Sequence, residues 1–256
     1  MLNPHVHVPF SKLDGFGGFI RDAGLAPEIY FVSSDIDALA PDWLEKKVLP
    51  FLDRSPELSV HAPFMDLSPG AVDEKVRAVT VERFGKTLDM AEALRAKSVV
   101  FHSGYEKWKY ALRTDIWLER SALTWGPLIE RAKKAGIKIA IENIFEDEPG
   151  NLALLMERLG SEHFGICFDT GHFNLFSKQK SLGGWLRALK KYILELHVHD
   201  NDGTSDQHRP IGEGTFPFKT LFEELKGMDV IYTVEAHSRE DAVLGLERLK
   251  GFLAGP

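Results

Sequence analysis

The chain has 256 residues, with 31 Lys+Arg against 38 Asp+Glu, a formal net charge of −7, ten His and one Cys. Its 44% hydrophobic and 27% charged residues suit a globular protein with a sizeable core and exclude a disordered or collagen-like chain. A single Cys excludes a disulfide framework and a thiolate pair for metal, the acidic balance disfavours nucleic acid, and neither a leader-like start nor an apolar run of about 18 residues is present, so a cytoplasmic protein without a membrane span is expected.

Eight short β-branched or apolar runs follow one another: VHVPF at 6–10, EIYFV at 28–32, LSVHAPF at 58–64, SVVFH at 98–102, KIAIEN at 138–143, FGICFD at 164–169, ILELHVHD at 193–200 and VIYTVEA at 230–236. Between them lie helical patterns such as 71–95 and 114–135, with apolar residues at spacings of three and four and stops near Gly136 and Gly160. Strands alternating with helices predict parallel strands, and eight units in about 250 residues predict one α/β domain over 1–256, a (β/α)8 barrel. A doubly wound open sheet fits less well, because no strand is followed by GxGxxG or a phosphate loop; Gly15, Gly17 and Gly18 lack that spacing.

Residues two apart in a strand share a face. With Tyr232 and Val234 facing the helices, Ile231, Thr233 and Glu235 point inward; the same parity turns Ser98, Val100 and His102, then Lys138, Ala140 and Glu142, then Gly165, Cys167 and Asp169, then Glu195, His197 and His199 into the barrel. The C-terminal strand ends, where such barrels carry their active sites, therefore bring together His61, His102, Glu142, Asp169, His197 and Glu235. His172 follows Asp169 by three residues, and Asp206 and His208 lie in the loop after the seventh run. One buried His or strand-end Glu is ordinarily a satisfied polar group. Nine at one mouth would repel or protonate one another without a cation, so one or more divalent metals are expected; His and carboxylate donors suit zinc, manganese, iron or cobalt.

The remaining features carry less. His5 and His7 are placed near the mouth, where His7 is a candidate substrate contact. His199 is read as orienting a neighbour, Cys167 as a small core residue, and His163 and His237 as loop residues without partners. Gly212-Glu213-Gly214 lets its loop approach the site. Of Trp108, Trp117, Trp125 and Trp185, those on helices are at core spacing, and the lysines at 46, 47, 133, 134, 190 and 191 read as solvated helix faces.

HAPF at 61–64, FHSG at 101–104, IEN at 141–143, CFDTGHFN at 167–174, HVHD at 197–200, DQHRPIGEGT at 206–215 and VEAH at 234–237 resemble the xylose isomerase-like barrels. That superfamily holds sugar isomerases and epimerases as well as endonuclease IV-type AP endonucleases. The ketose 3-epimerase branch implies one divalent metal on Glu142, Asp169, His197 and Glu235. In it the metal polarises the substrate carbonyl, one glutamate removes the adjacent proton, the other returns it after an enediolate-like intermediate, and His172 and His208 hold hydroxyls or phosphate. The endonuclease IV branch implies three zincs, on His61, His102 and Glu142, on Glu142, Asp169, His197 and Glu235, and on His172, Asp206 and His208. All nine donors are present, yet the first strand lacks Gly-x-His-x-Ser, and the loops SSDIDALAPD, MDLSPGAVDE and FEDEPG are acidic where a duplex needs phosphate contacts. The expectation is a zinc- or manganese-dependent isomerase or epimerase of a small sugar or sugar phosphate, with one to three ions; a trinuclear-zinc hydrolase of abasic DNA is the alternative.

Overall fold

In the computed structural model, which describes residues 4–52 and 57–254, eight parallel strands close into a barrel in chain order. They are β1 (His5–Pro9), β2 (Ala26–Tyr30), β3 (Ser59–His61), β4 (Ser98–His102), β5 (Lys138–Glu142), β6 (Phe164–Asp169), β7 (Ile193–Val198) and β8 (Ile231–Val234), with β1 pairing to both β2 and β8. Helices between the strands make this the expected (β/α)8 barrel. Among the described residues no helix is long and apolar enough to cross a membrane. Residues 1–3, part of the stretch read for a leader, lie outside the described residues.

Branched and aromatic side chains dominate the outward strand faces. Val6, Val8, Ile29, Val60, Val99, Phe101, Ile139, Ile141, Ile166, Phe168 and Leu196 are buried in one core with the helices. Inside the barrel, small Val100, Ala140 and Cys167 form a separate cluster and leave room above for polar groups. Asp73 caps the helix Glu74–Ala93, its carboxylate accepting from the Lys75 and Val76 amides at 2.8 and 3.3 Å. The helix Thr114–Ala135 spans the expected residues and stops at Gly136, whose φ of 70° is the left-handed conformation a C-cap glycine supplies. Trp117, Trp125 and Trp185 are core residues, whereas Trp108 is exposed at the rim.

Several boundaries differ from the sequence reading. The second strand begins at Ala26, which moves Glu28 from a strand start to mid-strand, fully buried. The third ends at His61 and the seventh at Val198, so His199 and Asp200 open the following loop. His5 is not near the mouth: at the start of β1 it lies at the opposite end, bonded through Nδ1 to Ser59 Oγ at 2.7 Å, and burial pushes its pKa down to about 4. Lys138 starts β5 at that same end and is exposed rather than enclosed. His163 does have a partner, donating from Nδ1 to the Ile137 carbonyl at 3.0 Å.

Candidate metal centre

Strand register stacks the ends that matter. His102 lies opposite Glu142, and Asp169 opposite His197. Asn143 then clamps Asp169, accepting from its amide at 2.9 Å and donating to its carbonyl at 3.0 Å, which extends the β5–β6 pairing through a side chain. Asp169 caps the helix Thr170–Phe176 by accepting from the His172 amide at 2.6 Å. That cap swings the His172 ring back over the barrel.

The four residues Glu142, Asp169, His197 and Glu235 converge on one atom. His197 Nδ1 lies 3.1 Å from Glu235 Oε1, 3.4 Å from Glu142 Oε2 and 3.9 Å from Asp169 Oδ2. Beside them His61 Nε2 and His102 Nε2 approach Glu142 Oε2 at 3.1 and 3.3 Å. His172 reaches Glu142 Oε1 through Nδ1 at 2.9 Å and Asp206 Oδ2 through Nε2 at 3.5 Å. The loop after β7 delivers His208, with Nε2 3.1 Å from Asp206 Oδ2 and Nδ1 3.5 Å from Glu235 Oε2. All nine expected donors therefore share the mouth. His7 joins them, 3.3 Å from Glu235 Oε1 and partly exposed.

Three further groups were not singled out as site residues. Glu28 accepts from His7 Nδ1 at 2.8 Å and from His197 Nε2 at 3.2 Å. Below it Glu195 accepts from Ser98 Oγ and Thr233 Oγ1, both at 2.7 Å. Asp200 gathers the following loop, accepting from the amides of Gly212 and Gly214 at 3.0 and 2.8 Å through Oδ2 and of Asn201 and Phe216 at 2.9 and 3.2 Å through Oδ1. His237, expected to lack a partner, stacks on His208 with ring centroids 4.5 Å apart.

Burial alone would raise the carboxylates and lower the imidazoles; it prevails at His102, which falls below the usual imidazole value, but mutual attraction outweighs it at Glu142, Glu235, His172 and His197. Glu142 stays well below the usual carboxylate range because of the His102 and His197 charges, and Glu235 because of His197 and His7. His172 and His197 rise well above the usual imidazole value because of the acidic groups around them. The cluster thus needs positive charge at its centre, as protons or as a metal.

The nitrogen at the centre tests that requirement. His197 uses Nε2 for Glu28, while its buried Nδ1 makes no hydrogen bond although three carboxylates surround it. A lone pair facing carboxylates is repulsive until a proton or a metal cation intervenes. His and carboxylate donors in this arrangement fit a divalent transition metal.

A family model described as a xylose isomerase-like TIM barrel matches residues 28–253. An uncharacterized protein of Methanocaldococcus jannaschii is 34% identical over 205 residues, 77% of this chain and 70% of that protein. Among solved structures, a D-tagatose 3-epimerase-like protein aligns with a TM-score of 0.85 and 30% identity, over 99% of this chain and 97% of the other. A Thermus thermophilus protein soaked with ZnCl2 aligns with a TM-score of 0.77 and 27% identity, over 100% of this chain and 99% of the other.

Proposed function

This chain belongs to the xylose isomerase-like TIM barrel family, and on that premise we propose that it is a divalent-metal-dependent isomerase or epimerase of a small sugar or sugar phosphate. The observation that carries the proposal is the convergence of Glu142, Asp169 and Glu235 on the buried, unpaired Nδ1 of His197. A zinc or manganese ion held by these four supplies Lewis-acid polarisation of a substrate carbonyl. The residues do the rest. Glu142 and Glu235 stand on β5 and at the end of β8, so they approach a substrate from separate sides. One carboxylate takes the proton from the carbon beside the carbonyl, and the other relays a proton drawn from solvent to the opposite face. His7, beside Glu235 and partly exposed, exchanges that proton with solvent and contacts a hydroxyl. His172 and His208 face the same space, where they bind substrate hydroxyls or phosphate directly or instead help to hold a second cation.

A second reading, a trinuclear-zinc phosphodiesterase acting on abasic DNA, draws on the arrival of Asp206 and His208 beside His172, which fills all nine donor positions. Rim charge favours the sugar. In the basic rim loop GYEKWKYALR at 104–113, Lys107 pairs with Asp147 and Arg113 with Asp115, so two of its three cations are already engaged. The test is metal quantification followed by incubation with ketoses and their phosphates in D2O. Deuterium entering the carbon beside the carbonyl, lost in Glu142→Gln and Glu235→Gln, is expected. No exchange with any sugar, together with cleavage of abasic-site duplex, overturns the proposal.

A further inference from the structure

The ring of His199 stands between the two halves of the site. Its Nε2 lies 3.1 and 3.0 Å from the two Asp169 oxygens, so that nitrogen carries the proton and donates. An imidazole that donates through one nitrogen leaves the other as a bare lone pair. Here the other nitrogen, Nδ1, is buried, has no hydrogen bond, and faces Asp206 with Oδ1 3.7 Å away. The buried lone pair and the carboxylate oxygen of the more exposed Asp206 repel until a proton or a cation comes between them.

The surroundings supply further donors. The His208 ring stacks on His199 at 4.0 Å, and His199, Asp206 and His208 offer ligand atoms that all lie within 4.8 Å of one another. His172 places Nδ1 3.1 Å from the Asn143 carbonyl, which only an N–H can satisfy. Its Nε2 turns to the same Asp206 carboxylate, 3.5 Å away, as an N–H while the ring is protonated and as a free lone pair once a metal displaces that proton.

We infer that His199 binds a second divalent cation through Nδ1, together with Asp206, His208 and His172. The inference rests on the metal reading of the Glu142–Asp169–His197–Glu235 group. It goes beyond the His172, Asp206 and His208 set that the family resemblance implies, in which His199 has no place. With three imidazoles and a carboxylate the coordination is full, and closed four-donor sites hold structure rather than substrate. The cation ties the 201–216 loop to the barrel across the mouth. Asp169 links the two sites, offering one carboxylate to the first cation and accepting from the His199 ring that binds the second.

The test is a zinc titration against a chromophoric chelator for the wild-type protein, His199→Gln, Asp206→Asn and Glu235→Gln, with hydrogen exchange followed in 201–216 and circular dichroism as a check on folding. The wild-type protein should take up two zinc ions tightly. His199→Gln and Asp206→Asn should each weaken the second by about 100-fold or more and speed exchange in the loop, while Glu235→Gln weakens the first. If His199→Gln keeps every zinc at wild-type affinity while Asp206→Asn loses one, His199 is not a ligand and the inference falls. A wild-type protein that binds a single zinc, lost in Glu235→Gln, overturns the inference and leaves the first site standing. No zinc at all overturns both.

Discussion

Replacing Glu28 by Gln keeps the shape of a buried side chain and removes its charge, and the geometry turns that change into a metal-binding defect. Glu28 is fully buried and accepts from two imidazoles, His7 at 2.8 Å and His197 at 3.2 Å. A glutamine offers one acceptor and one donor. Either orientation of the amide deprives one imidazole of its acceptor. With the NH2 toward His197, Nε2 must accept, and the ring proton moves to Nδ1, the atom on which Glu142, Asp169 and Glu235 converge. Zinc then has to displace a proton that the ring holds firmly. Losing an outer partner of this kind weakens a metal by about 10–100-fold, and each tenfold step is about 1.4 kcal/mol. The metal-free protein should also lose about 1.5–3 kcal/mol from the charge-assisted hydrogen bond. Chelator competition at neutral pH reads the first effect and urea unfolding the second. A folded Glu28→Gln protein with wild-type zinc affinity refutes the reasoning.

Three other perturbations probe the same frame. A Cβ at Gly171 would lie 2.1 Å from His199 Cε1 and 2.4 Å from its Nδ1, so Gly171→Ala should cost about 1–3 kcal/mol in urea unfolding and displace that ring; unchanged stability would contradict the packing. In Asp200→Asn an NH2 replaces one oxygen and faces backbone donors, so at least one charge-assisted bond is lost. About 2 kcal/mol or more of stability should go with it, with faster hydrogen exchange at Gly212 and Gly214, and protection equal to wild type would count against the clamp. Burial pushes His172 and His197 down and the acidic groups push them further up, so both hold protons beyond the usual imidazole range. Stability from those protonated pairs is complete below pH about 6.5 and lost as pH rises through the elevated values. The metal-free protein should therefore melt lower toward alkaline pH and the zinc-loaded protein should not; a metal-free melting temperature that ignores pH removes the basis for this.

The strand ends were legible because each ends an apolar run on an inward residue of ligand type, and parity alone then points His102, Glu142, Asp169 and His197 at one another. Glu28 was missed for a reason of two residues. Read as the start of EIYFV it is a strand edge, but Ala26 and Pro27 extend the strand and place it deep in the wall. A period-two reading back from Tyr30, whose ring meets His61 at 5.1 Å, would have turned Glu28 inward. Asp200 gave no such signal, since its partners are the amides of residues 201, 212, 214 and 216, and backbone donors have no sequence signature. His237 was underestimated because ring stacking across loops depends on the path of 201–216, which strand parity does not set, whereas His199 meets Asp169 as expected of a residue that orients a neighbour.

The polar column beneath the mouth also explains how a barrel can carry so many carboxylates along its axis. Glu195 and Glu28 are both fully buried inside it, and two like charges there are unfavourable. The environment resolves the conflict unequally. Burial, and then the negative charge of Glu28, push Glu195 up to about 8, so at neutral pH it carries a proton among the hydroxyls of Ser98 and Thr233. Glu28 is pulled the other way, because the charges and hydrogen bonds of His197 and His7 outweigh its burial. The floor is thereby neutral and the layer above it is charged. Negative charge is concentrated at Glu28, Glu142 and Glu235, around the one imidazole they share, His197. An ionised Glu195 would draw His197 toward the floor; a protonated one leaves that ring held by Glu28, with Nδ1 directed at the mouth where a cation enters.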